Sequence, residues 1–144
     1  MTFIIVATLI AGALGGLTDW LLMGVLFHDA YNRYPEIWQP GVRDGADRKA
    51  IIVSSLLGFV MTAAVVALCG LANVRSIVDG LAIAVLAWLA GPLVVLVING
   101  LFIKIDPKIT LAHSLGYLAR MVLAGIAAGL VFSPIRWGID FLGR

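Results

Sequence analysis

The chain has 144 residues, of which 62% are hydrophobic and only 12% charged. A soluble domain carries about 25% charged residues, so this composition and its mean hydropathy of +1.07 exclude an ordinary water-soluble globule and point to lipid as the solvent. A formal net charge of +2, with no basic run and no aromatic-studded basic stretch, removes nucleic acid as a partner.

The N-terminal stretch MTFIIVATLIAGALGG lacks a Lys or Arg n-region, and its apolar run continues through Phe27. It reads as a retained first span, about 3–27, rather than a signal peptide. A polar loop over 28–49 follows, with four basic and four acidic residues and the aromatics Tyr31, Tyr34 and Trp38. Aromatics this close to a span end anchor at the headgroup level, so the loop is expected to lie partly on the membrane. The second span is placed at about 50–72 and the third at about 80–103, joined by the link NVRSIVD. Gly91-Pro92 predicts a kink or local break in the third. After the turn KIDPK the fourth span runs over about 110–132, and Pro134 leads into an interfacial segment over 133–144. Each block meets the roughly 20 residues needed to cross a hydrocarbon core as a helix, and none alternates like a barrel strand. The expected fold is all-α, a polytopic integral membrane four-helix bundle forming one domain over 1–144.

Loops one and three hold Arg33, Arg43, Arg48, Lys49, Lys104 and Lys108, against Arg75, Arg136 and Arg144 on the other side. The bias predicts loops one and three in the cytoplasm and both termini outside. Small residues recur every four positions at Ala7, Ala11 and Gly15, at Gly12 and Gly16, at Ser54, Gly58 and Thr62, and at Gly125 and Gly129. Such faces let helix backbones approach, within one bundle or between protomers or a membrane partner protein.

The polar residues inside the spans are few. With a rise of about 1.5 Å per residue, Asp19 lies roughly 12 Å inside the cytoplasmic end of the first span. Span four enters from the same side, and its His113, Tyr117 and Arg120 share one helical face, with Arg120 roughly 15 Å deep. A lone charge at mid-span costs about 2.5–3.5 kcal/mol on insertion scales, so matched depth predicts an Asp19–Arg120 ion pair between spans one and four. Asn99, Ser54, Ser55 and His28 fall in the same cytoplasmic layer and complete an expected polar pocket.

Two functions compete with a plain structural clasp. The leading expectation is a non-enzymatic membrane protein whose pocket of Asp19, Arg120, Tyr117, His113, Asn99 and His28 binds a small ligand, ion or lipid headgroup, as a transport component or accessory subunit. The alternative is a membrane enzyme acting on a lipid or isoprenoid, with His28, His113 and Asp19 in acid–base roles. A purely structural interaction subunit is the third reading. His28, Asp29, Glu36 and His113 have no fixed metal-ligand spacing, Cys69 has no partner cysteine, and no dinucleotide or phosphate fingerprint occurs, so neither metal nor cofactor is expected.

A Gly-rich first span ending in Trp20 and "MGVLF", an aromatic loop with Trp38, and a last span opening on Gly116-Tyr117 resemble the bacterial four-span family known as domain of unknown function seventeen sixty-one. The resemblance covers nearly the whole chain and implies the four-span architecture, with no established activity. Where that family carries Trp-Tyr-Ser-Pro, this chain reads Asp19-Trp20-Leu21-Leu22.

Overall fold

The computed structural model describes residues 2–37 and 48–133. Trp38 and the interfacial segment expected beyond residue 133 lie outside the described residues. Helix α1 (Thr2–Asp19) continues without interruption into π-helical turns over Trp20–Leu26. Two short 3-10 turns follow, His28–Asn32 and Pro35–Ile37. Then come α2 (Arg48–Leu71), α3 (Ile77–Trp88), a π-helical turn (Leu89–Leu93), α4 (Val94–Phe102) and α5 (Pro107–Phe132). Among the described residues, four helical segments are long and apolar enough to cross a membrane: Thr2–Leu26, Arg48–Leu71, Ile77–Phe102 and Pro107–Phe132.

Local chemistry sets the ends of these helices. α2 stops because Asn73 adopts a left-handed conformation (φ 53°). The Val74 amide then bonds the Cys69 carbonyl at 3.0 Å, and the Asn73 amide bonds that of Gly70 at 3.1 Å. This is the Schellman closure, with Val74 packed into the same core cluster as Cys69. The Ser76 side chain accepts from the Asp79 amide and starts α3 at Ile77, ahead of the expected residue 80. Asp106 caps α5 and Pro107 takes the first helical position, so KIDPK is half turn and half helix start. In the third segment Pro92 has no amide hydrogen and its ring crowds the preceding turn. The chain widens into a π-helical turn there and resumes as α4.

α5 is the central element: eleven of its residues are buried, against three in α1. It packs against α1, α2 and α3, and its small side chains permit that approach. Ala112, Ala124 and Ala128 are fully enclosed. Gly80 of α3 meets Gly125 of α5 backbone to backbone, and a methyl group on Gly129 would stand 2.6 Å from the Ser76 carbonyl oxygen. Large apolar side chains face outward instead, from Phe3, Leu9 and Leu17 on α1 to Leu56 and Val60 on α2 and Phe102 on α4. A chain that turns its bulky hydrophobics outward and its small residues inward has the pattern of a bundle in an apolar solvent.

Candidate functional site

Asp19 ends the α-helical part of α1, and Arg120 lies halfway along α5. Arg120 Nη2 donates to Asp19 Oδ2 in a direct charge-assisted contact. Arg120 Nη1 donates to the Gly12 carbonyl at 3.3 Å. The Arg120 side chain is 3% exposed and that of Asp19 24%, so the cation is sealed and the acid sits at an opening.

Glycines make the room. A methyl group on Gly58 of α2 would stand 2.7 Å from Arg120 Cζ, and one on Gly15 of α1 would stand 3.0 Å from Arg120 Cγ. The guanidinium therefore occupies a hollow that two neighbouring helices leave by carrying glycine. On α5 itself, a methyl on Gly116 would lie 2.8 Å from Asp19 Oδ1. Gly15, Gly58 and Gly116 thus accommodate charged groups, whereas Gly80, Gly125 and Gly129 serve close backbone approach.

Asp19 Oδ1 is buried and has no hydrogen-bond partner among the described residues. His113 and Tyr117, one helical turn apart on α5, both lie within electrostatic reach of this carboxylate. Their ring centroids are 6.3 Å apart. The Tyr31 hydroxyl, from the first 3-10 turn, is 3.0 Å from His113 Nε2, and the two rings meet edge-on. Burial, reinforced by Tyr117, pushes the Tyr31 phenol up to about 12, so it stays protonated and available as a donor. Tyr31, His113, Tyr117, Asp19 and Arg120 therefore follow one another as a polar train from the loop into the bundle, bonded at its two ends and linked in the middle by electrostatic reach alone.

Other expected members of the pocket sit elsewhere. Asn99 and His28 are exposed, and neither makes a side-chain hydrogen bond among the described residues. Ser54 and Ser55 are exposed on α2, and each hydroxyl bonds back to the Ile51 carbonyl. Asn99, Ser54 and Ser55 have the right height along their helices but face another way. Glu36 pairs with Lys104 and His113 with Tyr31, so the two do not converge with His28 and Asp29 on a metal. No group of three or more ligating side chains suited to a metal ion occurs among the described residues. A groove of about 300 Å³ runs between α1 and α5, lined by Phe3, Val6, Ile10, Leu14, Leu123 and Leu130 among others. Its lining is wholly apolar and it takes no part in the polar train.

Contacts not foreseen from sequence tie the first loop to the turn before α5. Arg33 Nη1 stands 2.8 Å from Asp106 Oδ2, while Asp106 Oδ1 accepts from the Lys108 amide. Lys104 Nζ donates to Glu36 at 2.8 Å and lies 4.6 Å from the Tyr34 ring centre. The hydrogen bond from Lys104 holds the Glu36 carboxyl below its ordinary value, and that same bond raises the Lys104 ammonium. Asp-Pro before an apolar run is a legible helix-start signal, but nothing in the sequence names Arg33 as its partner.

Fold and site together define a small all-α bundle of four membrane-length apolar helical segments, with a buried Asp–Arg pair joining the first to the last. The chain belongs to the family described as "Protein of unknown function (DUF1761)", which matches residues 5–129. Neither a curated protein nor a solved structure matches it.

Proposed function

We propose that this is an integral protein of the bacterial inner membrane that binds a small hydrogen-bond-donating ligand, a proton or small ammonium-type cation, at Asp19. It acts as a transport component or accessory subunit. Four long apolar helices and outward-facing bulky hydrophobics support the membrane location. The excess of Lys and Arg in loops one and three supports a cytoplasmic position for both loops.

The observation that carries the ligand is the unpartnered Asp19 Oδ1. Buried polar atoms are almost always hydrogen-bonded, and an exception calls for a water, an ion or a chemical role. The Asp19–Arg120 pair is neutral as a unit, so it does not draw an anion. Its spare atom is an acceptor, which selects a donor. Tyr31 and His113 lead from the loop toward that acceptor, and His113 lies within electrostatic reach of it.

Electrometry on proteoliposomes tests this reading. An ammonium or pH jump gives a charge displacement with the native protein, and Asp19→Asn abolishes it. Equal signals from both proteins, or none from the native one, overturn it.

A second reading, a purely structural clasp, has its own support in the sealing of Arg120 between glycines. It predicts no ligand-dependent signal.

A further inference from the structure

The segment after the π-helical turns, residues 28–37, runs back over the end of α5 instead of leaving the bundle. Among the described residues three side-chain bonds attach it, and Lys104 also lies 4.6 Å from the Tyr34 ring centre. The Tyr31 hydroxyl meets His113 Nε2 at 3.0 Å, Arg33 meets Asp106 at 2.8 Å, and Glu36 meets Lys104 at 2.8 Å. Just ahead of them Ala30 is buried at 8% exposure, although the residues on either side are more open. We propose that residues 28–37 form a strap that gates the Asp19 site, held shut by the Arg33–Asp106 and Glu36–Lys104 ion pairs and released when those pairs open.

The attachments differ in kind. Tyr31 to His113 is the part of the strap that reaches into the bundle, so lifting the strap uncovers His113, which lies within electrostatic reach of Asp19. The other two are latches at the rim. Glu36 and Lys104 are both more than half exposed, and a pair of this sort is weak and screened by salt, whereas Arg33, 56% exposed, meets an Asp106 only 1% exposed and makes the firmer latch. Such latches keep the strap shut most of the time while leaving it responsive to salt and to charge near the surface. Asp106 adds a direct link to the helix, since the carboxylate that holds Arg33 also caps α5. The strap hinges where it leaves the first helical segment, at Phe27, whose amide closes the last π-helical bond to the Leu22 carbonyl.

The gate has a purpose only if Asp19 binds a ligand, and so rests on the reading above; its test needs no ligand. Cysteine is placed at Ala30 in a Cys69→Ala background, and its labelling by a charged, water-soluble thiol reagent is timed in detergent or proteoliposomes. The native latches give slow labelling. Loss of both latches in Arg33→Gln/Glu36→Gln raises the rate about tenfold, and about 1 M salt raises the native rate toward the same value. Asp106→Asn, which keeps a capping acceptor, reproduces part of the increase from the other side of the contact. Labelling that is already fast with the latches intact, or unchanged without them, overturns the gate. Neither result touches the Asp19→Asn electrometry, so the gate and the ligand site fail separately.

Discussion

Among the described residues, replacing Asp19 with leucine removes the one acid in contact with Arg120 and leaves a guanidinium whose side chain is 3% exposed, with the Gly12 carbonyl as its remaining acceptor. Breaking a buried pair from one side costs about 3–5 kcal/mol, because the surviving charge is stranded. Asp19→Leu belongs at the upper end of that range. Arg120→Met belongs nearer about 3 kcal/mol, since the carboxylate it strands is 24% exposed and can hydrate or take a proton. The double variant strands nothing, and two apolar side chains of similar size bring stability back to within about 1 kcal/mol of the native protein. Taken together these figures give a coupling of about 7 kcal/mol, with the double variant more stable than either single one. Unfolding in mixed micelles of rising SDS content, followed by circular dichroism, measures all four proteins. Losses that simply add would refute the claim that the two charges answer one another.

Gly58→Ala places a methyl 2.7 Å from the guanidinium carbon, displaces the cation from its hollow and costs about 1–3 kcal/mol. The same substitution is nearly silent in the Asp19→Leu/Arg120→Met background, as the same micelle titration will show. Gly80→Ala drives a methyl into the Gly125 backbone, which cannot move aside, and lowers stability by about 1–3 kcal/mol in either background. Trp88→Phe removes the indole donor that meets the Ser114 carbonyl at 2.9 Å and costs about 1 kcal/mol in thermal unfolding. Glu36, held below its ordinary 4.5 by Lys104, keeps its latch at neutral pH. A lowered folded-state value means the contribution is complete above 4.5 and is lost as pH falls through the folded value. Carboxyl NMR of Glu36 will titrate below 4.5 in the native protein, and Lys104→Gln will move that midpoint upward.

The sequence states height along a helix well and rotation about it poorly. Asp19 and Arg120 were matched by depth, and that depth is a count of residues times a fixed rise. Asn99, Ser54 and Ser55 satisfy the same count yet face outward, because which side of a helix meets its neighbours is decided by packing. His113, Tyr117 and Arg120 escaped that ambiguity by lying on one face of the same helix. The four apolar segments were legible from composition. So was the disturbance at Gly91-Pro92, where the missing amide of proline leaves its mark on any helix. The π-helical turns after Asp19 carry no such signature, since no proline interrupts Trp20–Leu26. The strap was hidden for another reason. Ion pairs between a loop and a distant turn have no periodicity, and Arg33 and Asp106 look like ordinary surface charges until the chain brings them together.

Asp19 and Arg120 stand 101 residues apart in the chain. In a chain made from its N-terminus, that separation is also a delay. At about 5–20 residues per second, roughly 5–20 s pass between synthesis of the acid and synthesis of its partner. During that interval the first helix holds its carboxylate without Arg120, and on the proposed membrane location a proton or a protein-lined surface must answer the charge. The last span then does more than complete the bundle. Its arrival discharges a state that the first three spans cannot resolve, which makes the order of synthesis part of how this pair is built.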